Sequence, residues 1–296
     1  MGKLCHYGPG EPPLSPHSRH RPPLVKSLGQ HHLRDGRATR PLVEFLAPAG
    51  ATVIEIGPGG GVLTRELLAA GAERVLAVEL DPAWAFALRR ELVAPRLAVA
   101  VADALDLAWE ELRAPALVAG NLPYNVGTAI LERLLAGARR VPRAAFLLQR
   151  EVVDRLVAGP GEPDYGALSV LVAARARARL LGRVPAGAFR PPPRVESAFV
   201  GLELGAPAVS PEKFAAFARV VRLAFAQRRK TLRNALASGW GRESAGRVLD
   251  ALGLPEGTRA ERLDLGAFLD LAAAAEAAAA EPRVLGFKSR MDSEIP

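Results

Sequence analysis

Between residues 25 and about 205, short apolar runs alternate with helical stretches, and a chain patterned this way folds as a doubly wound α/β sheet. The strand candidates are Thr52–Ile56, Arg74–Glu79, Leu97–Val101, Ala116–Gly120, Ala144–Leu148, Arg177–Val184 and Ser197–Leu204. Helices are predicted between them at Leu63–Ala70, Trp84–Leu92, Ala129–Leu135 and Gly166–Ala174. After Gly205 the alternation stops. Ser210 and Pro211 form a helix start, with Ser210 as the cap and Pro211 in the first turn. Only helical pattern follows, at Glu212–Ala226, Thr231–Ala237, Ala245–Leu252 and Leu265–Ala280, so a small helical domain is expected over 208–280. The sheet domain then spans 25–207, behind a disordered Pro-rich extension (1–24) and ahead of a tail (281–296).

Several classes of protein are excluded by composition. The 296 residues contain one cysteine, Cys5, which leaves no internal disulfide framework and no cysteine-ligated zinc. His31 and His32 are adjacent and lack companions at ligand spacing, so no metal is expected. No apolar run has the length of a membrane span, and the first 24 residues do not read as a secretory signal; the expected location is the cytoplasm. The charge is more telling. With 39 basic against 31 acidic residues the net charge is +8. Six arginines fall between Tyr165 and Val195 without an acid: Arg175, Arg177, Arg179, Arg183, Arg190 and Arg194. Five basic residues lie from Arg222 to Arg233, again without an acid. Clustered cations gain affinity for nucleic acid by releasing counterions from phosphate; a merely solvated face is the alternative.

The first strand candidate runs into Glu55-Ile56-Gly57-Pro58-Gly59-Gly60-Gly61, a loop whose glycines let a ligand approach the backbone at a helix start. The dinucleotide fingerprint requires glycine where Val62 stands, which argues against a pyrophosphate ligand. Glu79 ends the second strand, placed to bind ribose hydroxyls, and Asp103 follows the third, placed to receive an adenine amino group. Together they outline an adenosine pocket that suits S-adenosylmethionine.

The fourth strand leads into Asn121-Leu122-Pro123-Tyr124. The Asn121 side-chain carbonyl and the Leu122 backbone carbonyl can accept both hydrogens of an exocyclic amine. Pro123 stiffens the loop, and Tyr124 offers a face for base stacking. An aromatic amine is a poor nucleophile because its lone pair is delocalised; two acceptors favour the pyramidal form and aim that lone pair at a methyl donor.

With these pieces the chain resembles the ribosomal RNA adenine dimethyltransferase family, most closely its small-subunit (16S) branch. The likeness runs from about Lys26 to Leu271. It is carried by Glu55-Ile56-Gly57-Pro58-Gly59, Glu79-Leu80-Asp81, Asp103-Ala104, Gly120-Asn121-Leu122-Pro123-Tyr124-Asn125, Phe189-x-Pro191-Pro192-Pro193-x-Val195-x-Ser197-Ala198 and Phe225-x-Gln227-Arg228-Arg229-Lys230-Thr231-Leu232-Arg233-Asn234. The resemblance implies a Rossmann-like class I methyltransferase sheet with a helical C-terminal domain. It implies that His31, Leu33, Gly57, Gly59, Glu79, Asp103 and Asn121 line the S-adenosylmethionine site. Asn121 and Tyr124 would hold the target adenine, with Phe189 on its other face. Arg228, Arg229, Lys230 and Arg233 would contact RNA. The implied activity is N6 dimethylation of two adjacent adenines in the 3′-terminal hairpin loop of 16S ribosomal RNA, by a monomer acting on a 30S precursor particle. One position departs: the family's Gln-Asn-Phe-Leu is here Gln30-His31-His32-Leu33. Three other readings stand beside this one: a large-subunit (23S) adenine dimethyltransferase, a non-catalytic assembly factor and a small-molecule methyltransferase.

Overall fold

The computed structural model describes residue 22, residues 31–227 and residues 230–280. In chain order the elements up to the end of the sheet are β1 (His32–Leu33), α1 (Arg40–Leu46), β2 (Thr52–Ile56), α2 (Val62–Ala69), β3 (Arg74–Glu79), α3 (Pro82–Glu91), β4 (Leu97–Val101), β5 (Leu117–Asn121), α4 (Gly127–Gly137), β6 (Arg143–Gln149), α5 (Arg150–Val157), α6 (Ala167–Ala173), β7 (Arg177–Val184), β8 (Phe189–Arg190) and β9 (Ser197–Glu203). Helices α7 (Pro211–Phe225), α8 (Leu232–Trp240), α9 (Arg242–Ala251) and α10 (Leu265–Ala280) follow. Helices α1 and α5 and the short pair β1–β8 are absent from the sequence expectation.

The strands form a seven-stranded sheet in the order β4-β3-β2-β5-β6-β9-β7, in which β9 alone runs against its neighbours. The chain winds outward from β2 to β4 and then returns to β5. The winding direction therefore reverses between β2 and β5, and ligands bind in the crevice beyond the carboxyl ends of strands at such a point. Both faces are covered, which is why the central strands read as continuous apolar runs. Ile54, Val118 and Phe146 face α4, while Val53, Leu117 and Leu147 face α1 and α2.

The helical region is not a separate globule. Phe214 and Val221 of α7 and Phe268 of α10 belong to the same apolar cluster as Phe146 and Val200 of the sheet. The Tyr165 hydroxyl donates to the Leu263 carbonyl at 2.8 Å, and Arg222 pairs with Glu132 of α4 at 2.6 Å.

Arg175 corrects the sequence reading, which left it in an arginine run facing solvent or phosphate. It is buried. Its Nε donates to the Leu135 carbonyl at 2.6 Å, Nη2 to Ala138 at 3.0 Å and Nη1 to Val209 at 2.9 Å. The cation satisfies the carbonyls at the end of α4, favoured by the helix dipole, and ties the linker into α7 to the sheet. Burial lowers its pKa from the usual guanidinium value, against the attraction of Glu212.

Candidate active site

The site is assembled from the carboxyl ends of β2, β3 and β5. After β2 the chain turns through Gly57 (φ 66°) and Gly59 (φ 49°), left-handed conformations that favour glycine, before α2 begins. A methyl group on Gly57 would meet only the Asn121 carbonyl oxygen, at 3.6 Å, so the glycine loop and the end of β5 adjoin across open space. Glu79 closes the pocket from β3. Its Oε2 accepts the Gly59 N–H and its Oε1 the Asp81 N–H, both at 3.0 Å. Burial pushes its pKa up, against the two backbone donors. Each oxygen keeps a lone pair beyond these bonds, so the carboxylate fits a pair of ribose hydroxyls. Asp103 spends Oδ1 on the Leu105 N–H at 2.8 Å, leaving Oδ2 to receive an amino group. The open cradle and this acceptor set suit an adenosine-bearing cofactor.

Next to the cradle lies the tetrapeptide. The Leu122 N–H donates to Leu147 at 3.1 Å, and the Pro123 carbonyl accepts from Val126 and Gly127, so the loop doubles as the start of α4. Asn121 Nδ2 donates to the His31 carbonyl at 2.7 Å. That partner is an acceptor, which fixes the amide orientation and leaves Asn121 Oδ1 as the acceptor. The Tyr124 hydroxyl shares a 2.6 Å hydrogen bond with Ser197 Oγ. Burial raises the Tyr124 pKa and Ser197 opposes the rise. The sequence reading gave Ser197 no role beyond its place in a motif; the structure makes it the anchor of Tyr124.

Other expected residues are placed differently. Leu33 and Phe189 are buried in the apolar cluster on the α1 face, paired across β1 and β8. The Phe189 ring offers no open face to a base in this structure. His32 lies against Trp84, with ring centroids 4.3 Å apart, and over Gly59. Arg233 is tied to Asp250 at 2.6 Å, with Glu256 at 3.8 Å, which fastens α8 to α9. Lys230 is exposed, and Arg228 and Arg229 lie outside the described residues. Glu55 is a further buried acid, on β2 beneath α2, and its Oε2 has no hydrogen-bond partner among the described residues. An acid inside a strand-like apolar run was its only signal in the sequence.

A seven-stranded sheet with one reversed strand, a glycine loop after its first long strand and an acid ending the next define a class I S-adenosylmethionine-dependent methyltransferase. The sequence profile described as "Ribosomal RNA adenine dimethylase" matches residues 24–276. The chain belongs to that family. It is 43% identical over 267 residues to "Ribosomal RNA small subunit methyltransferase A" of Bordetella petrii, covering 90% of this chain and 99% of that protein. It is 45% identical over 276 residues to the protein of the same name from Methylobacterium radiotolerans, covering 90% and 93%. Among solved structures it resembles a dimethyladenosine transferase from Plasmodium falciparum (TM-score 0.70, 21% identity, 81% of this chain and 96% of that one). It also resembles the 23S rRNA methyltransferase ErmE (TM-score 0.62, 26% identity, 82% and 99%).

Proposed function

We infer that this chain transfers methyl groups from S-adenosylmethionine to N6 of two adjacent adenines in the 3′-terminal hairpin loop of small-subunit ribosomal RNA. Its substrate is the RNA within a precursor particle, and it acts as a monomer. The observation that carries the reading is the meeting of Asn121-Leu122-Pro123-Tyr124 with the Gly57 cradle, beside Glu79. The names of its relatives support the small subunit as the target.

S-adenosylmethionine supplies an electrophilic methyl group. The residues of the chain do the rest. Glu79 receives ribose hydroxyls, Asp103 receives an amino group, and the glycine loop lets the backbone approach. Asn121 Oδ1 and the Leu122 carbonyl accept the hydrogens of the target amine, which turns its lone pair out of conjugation and along the line of attack. Tyr124, pinned by Ser197, provides the stacking face for a base splayed from its loop. The amine's surplus proton leaves to solvent after transfer. Two methyl groups per adenine require the site to readmit a monomethylated amine.

Tritiated S-adenosylmethionine offered with unmethylated small subunits and, separately, with protein-free large-subunit RNA tests the reading. Label in adjacent adenines of the small subunit is the expected result. Label in the large-subunit RNA alone would move the chain to the other branch. Tight subunit binding without label would make it an assembly factor.

A further inference from the structure

Both side chains assigned to the target base, Asn121 and Tyr124, are engaged by one residue, His31. The His31 carbonyl accepts from Asn121 Nδ2 at 2.7 Å. The His31 ring lies on Tyr124, with centroids 5.3 Å apart and planes inclined by 27°. Its Nδ1 sits 2.9 Å from the Pro191 carbonyl. A carbonyl only accepts, so Nδ1 carries the proton and donates. The backbone pairing of His32 with Arg190 brings this segment to Pro191. A planar aromatic ring, fixed at its edge by a hydrogen bond, thus lies on the face that the functional reading gives to the adenine.

We propose that His31 is a positioning residue of the target-base half of the site rather than a cofactor ligand. This rests on the reading that Asn121 and Tyr124 receive the base. Backbone and ring have separable roles. The carbonyl holds the Asn121 amide so that Oδ1 faces the incoming amine. The imidazole keeps the Tyr124 face covered until a base arrives, and rotation about the His31 side-chain bonds clears it without disturbing the carbonyl. Phe189, the other aromatic expected here, is sealed in the core. The imidazole is therefore the ring that a base meets first. The family's asparagine at this position cannot stack in this way, so the device follows from the His31 departure.

The test compares the wild-type full-length chain with H31A and H31N. S-adenosylhomocysteine affinity is read by calorimetry, and kcat/KM is read with unmethylated small subunits. Removing the competing ring is expected to raise kcat/KM for subunits about two- to tenfold in both variants, the worth of one aromatic contact. Affinity for S-adenosylhomocysteine stays within about twofold of wild type. A tenfold change in that affinity, a gain in H31N or a loss in H31A, would make His31 a cofactor contact and overturn the proposal. A fall in kcat/KM for subunits with cofactor affinity intact would make the ring a fixed wall of the pocket and overturn it as well. If wild type labels large-subunit RNA instead, the small-subunit reading fails. The same comparison on that RNA then still decides the role of His31.

Discussion

Glu79 reaches from the end of β3 to accept the Gly59 N–H at 3.0 Å, which makes the acid and the glycine loop one unit. Glu79→Ala removes the acceptor for the ribose and leaves two loop N–H groups unpartnered. Cofactor affinity should fall about ten- to hundredfold, the worth of hydrogen bonds to a charged group. Calorimetric titration with S-adenosylhomocysteine checks this, and an unchanged affinity would remove Glu79 from the site.

Asn121→Ala deletes the acceptor that aims the amine. Methyl transfer should drop at least about a hundredfold in kcat. Binding to small subunits should stay within about twofold, because phosphate contacts lie elsewhere. Equal losses in both would mean that Asn121 holds the loop rather than the amine.

Glu55 titrates within the physiological range. Burial beneath α2 pushes its carboxyl up to about 7; Thr64 opposes the rise and Glu79 adds to it. Between the ordinary value of 4.5 and about 7 the folded chain binds a proton that the unfolded chain releases. The contribution of this group is whole below the lower value and is lost as pH rises through about 7, by about 3 kcal/mol at most. Glu55→Gln keeps the shape and removes the titration. Urea unfolding at pH 5 and pH 8 should therefore show wild type losing more stability than the variant. Parallel losses in the two proteins would place the titration elsewhere.

Arg175→Ala strips three buried carbonyls of their donor. The loss should be about 3 kcal/mol or more in denaturant unfolding. Arg175→Lys should recover little of it, because an ammonium cannot span the three positions that the planar guanidinium reaches.

Lys230 and Arg233 should separate in salt titrations of small-subunit binding. Lys230→Ala removes an exposed cation and should lower the slope of log affinity against log salt by about one. Arg233 is already paired with Asp250. Arg233→Ala should leave the slope near wild type and instead lower the melting temperature.

The seven long strands were legible because each is an apolar run bounded by turn residues, and their predicted ends lie within about a residue of the observed ones. Helix α1 was not. It is seven residues long, enters through Pro41 and leaves through Ala47 at φ 45°, too short to show a repeat. Nor was α5, which begins at Arg150 directly after β6 with no turn residue between them. The chemistry of the site was legible in Glu79 and the Asn121–Tyr124 tetrapeptide, since residue type and strand end suffice there. Its wiring was not, because the Asn121–His31 and Tyr124–Ser197 bonds join residues far apart in the chain. Arg175 shows the same limit from the other side. An arginine in a basic run reads as surface, and only the folded α4 supplies the carbonyls that draw it inside.

Because Phe214, Val221 and Phe268 share a core with the sheet, the helical region cannot swing, and the span from Lys230 to Asn121 is set by the fold. The protein behaves as a gauge. An RNA whose target loop and backbone already match that span seats without distortion, while any other must bend first. The cost of that bending is discrimination achieved without reading a base.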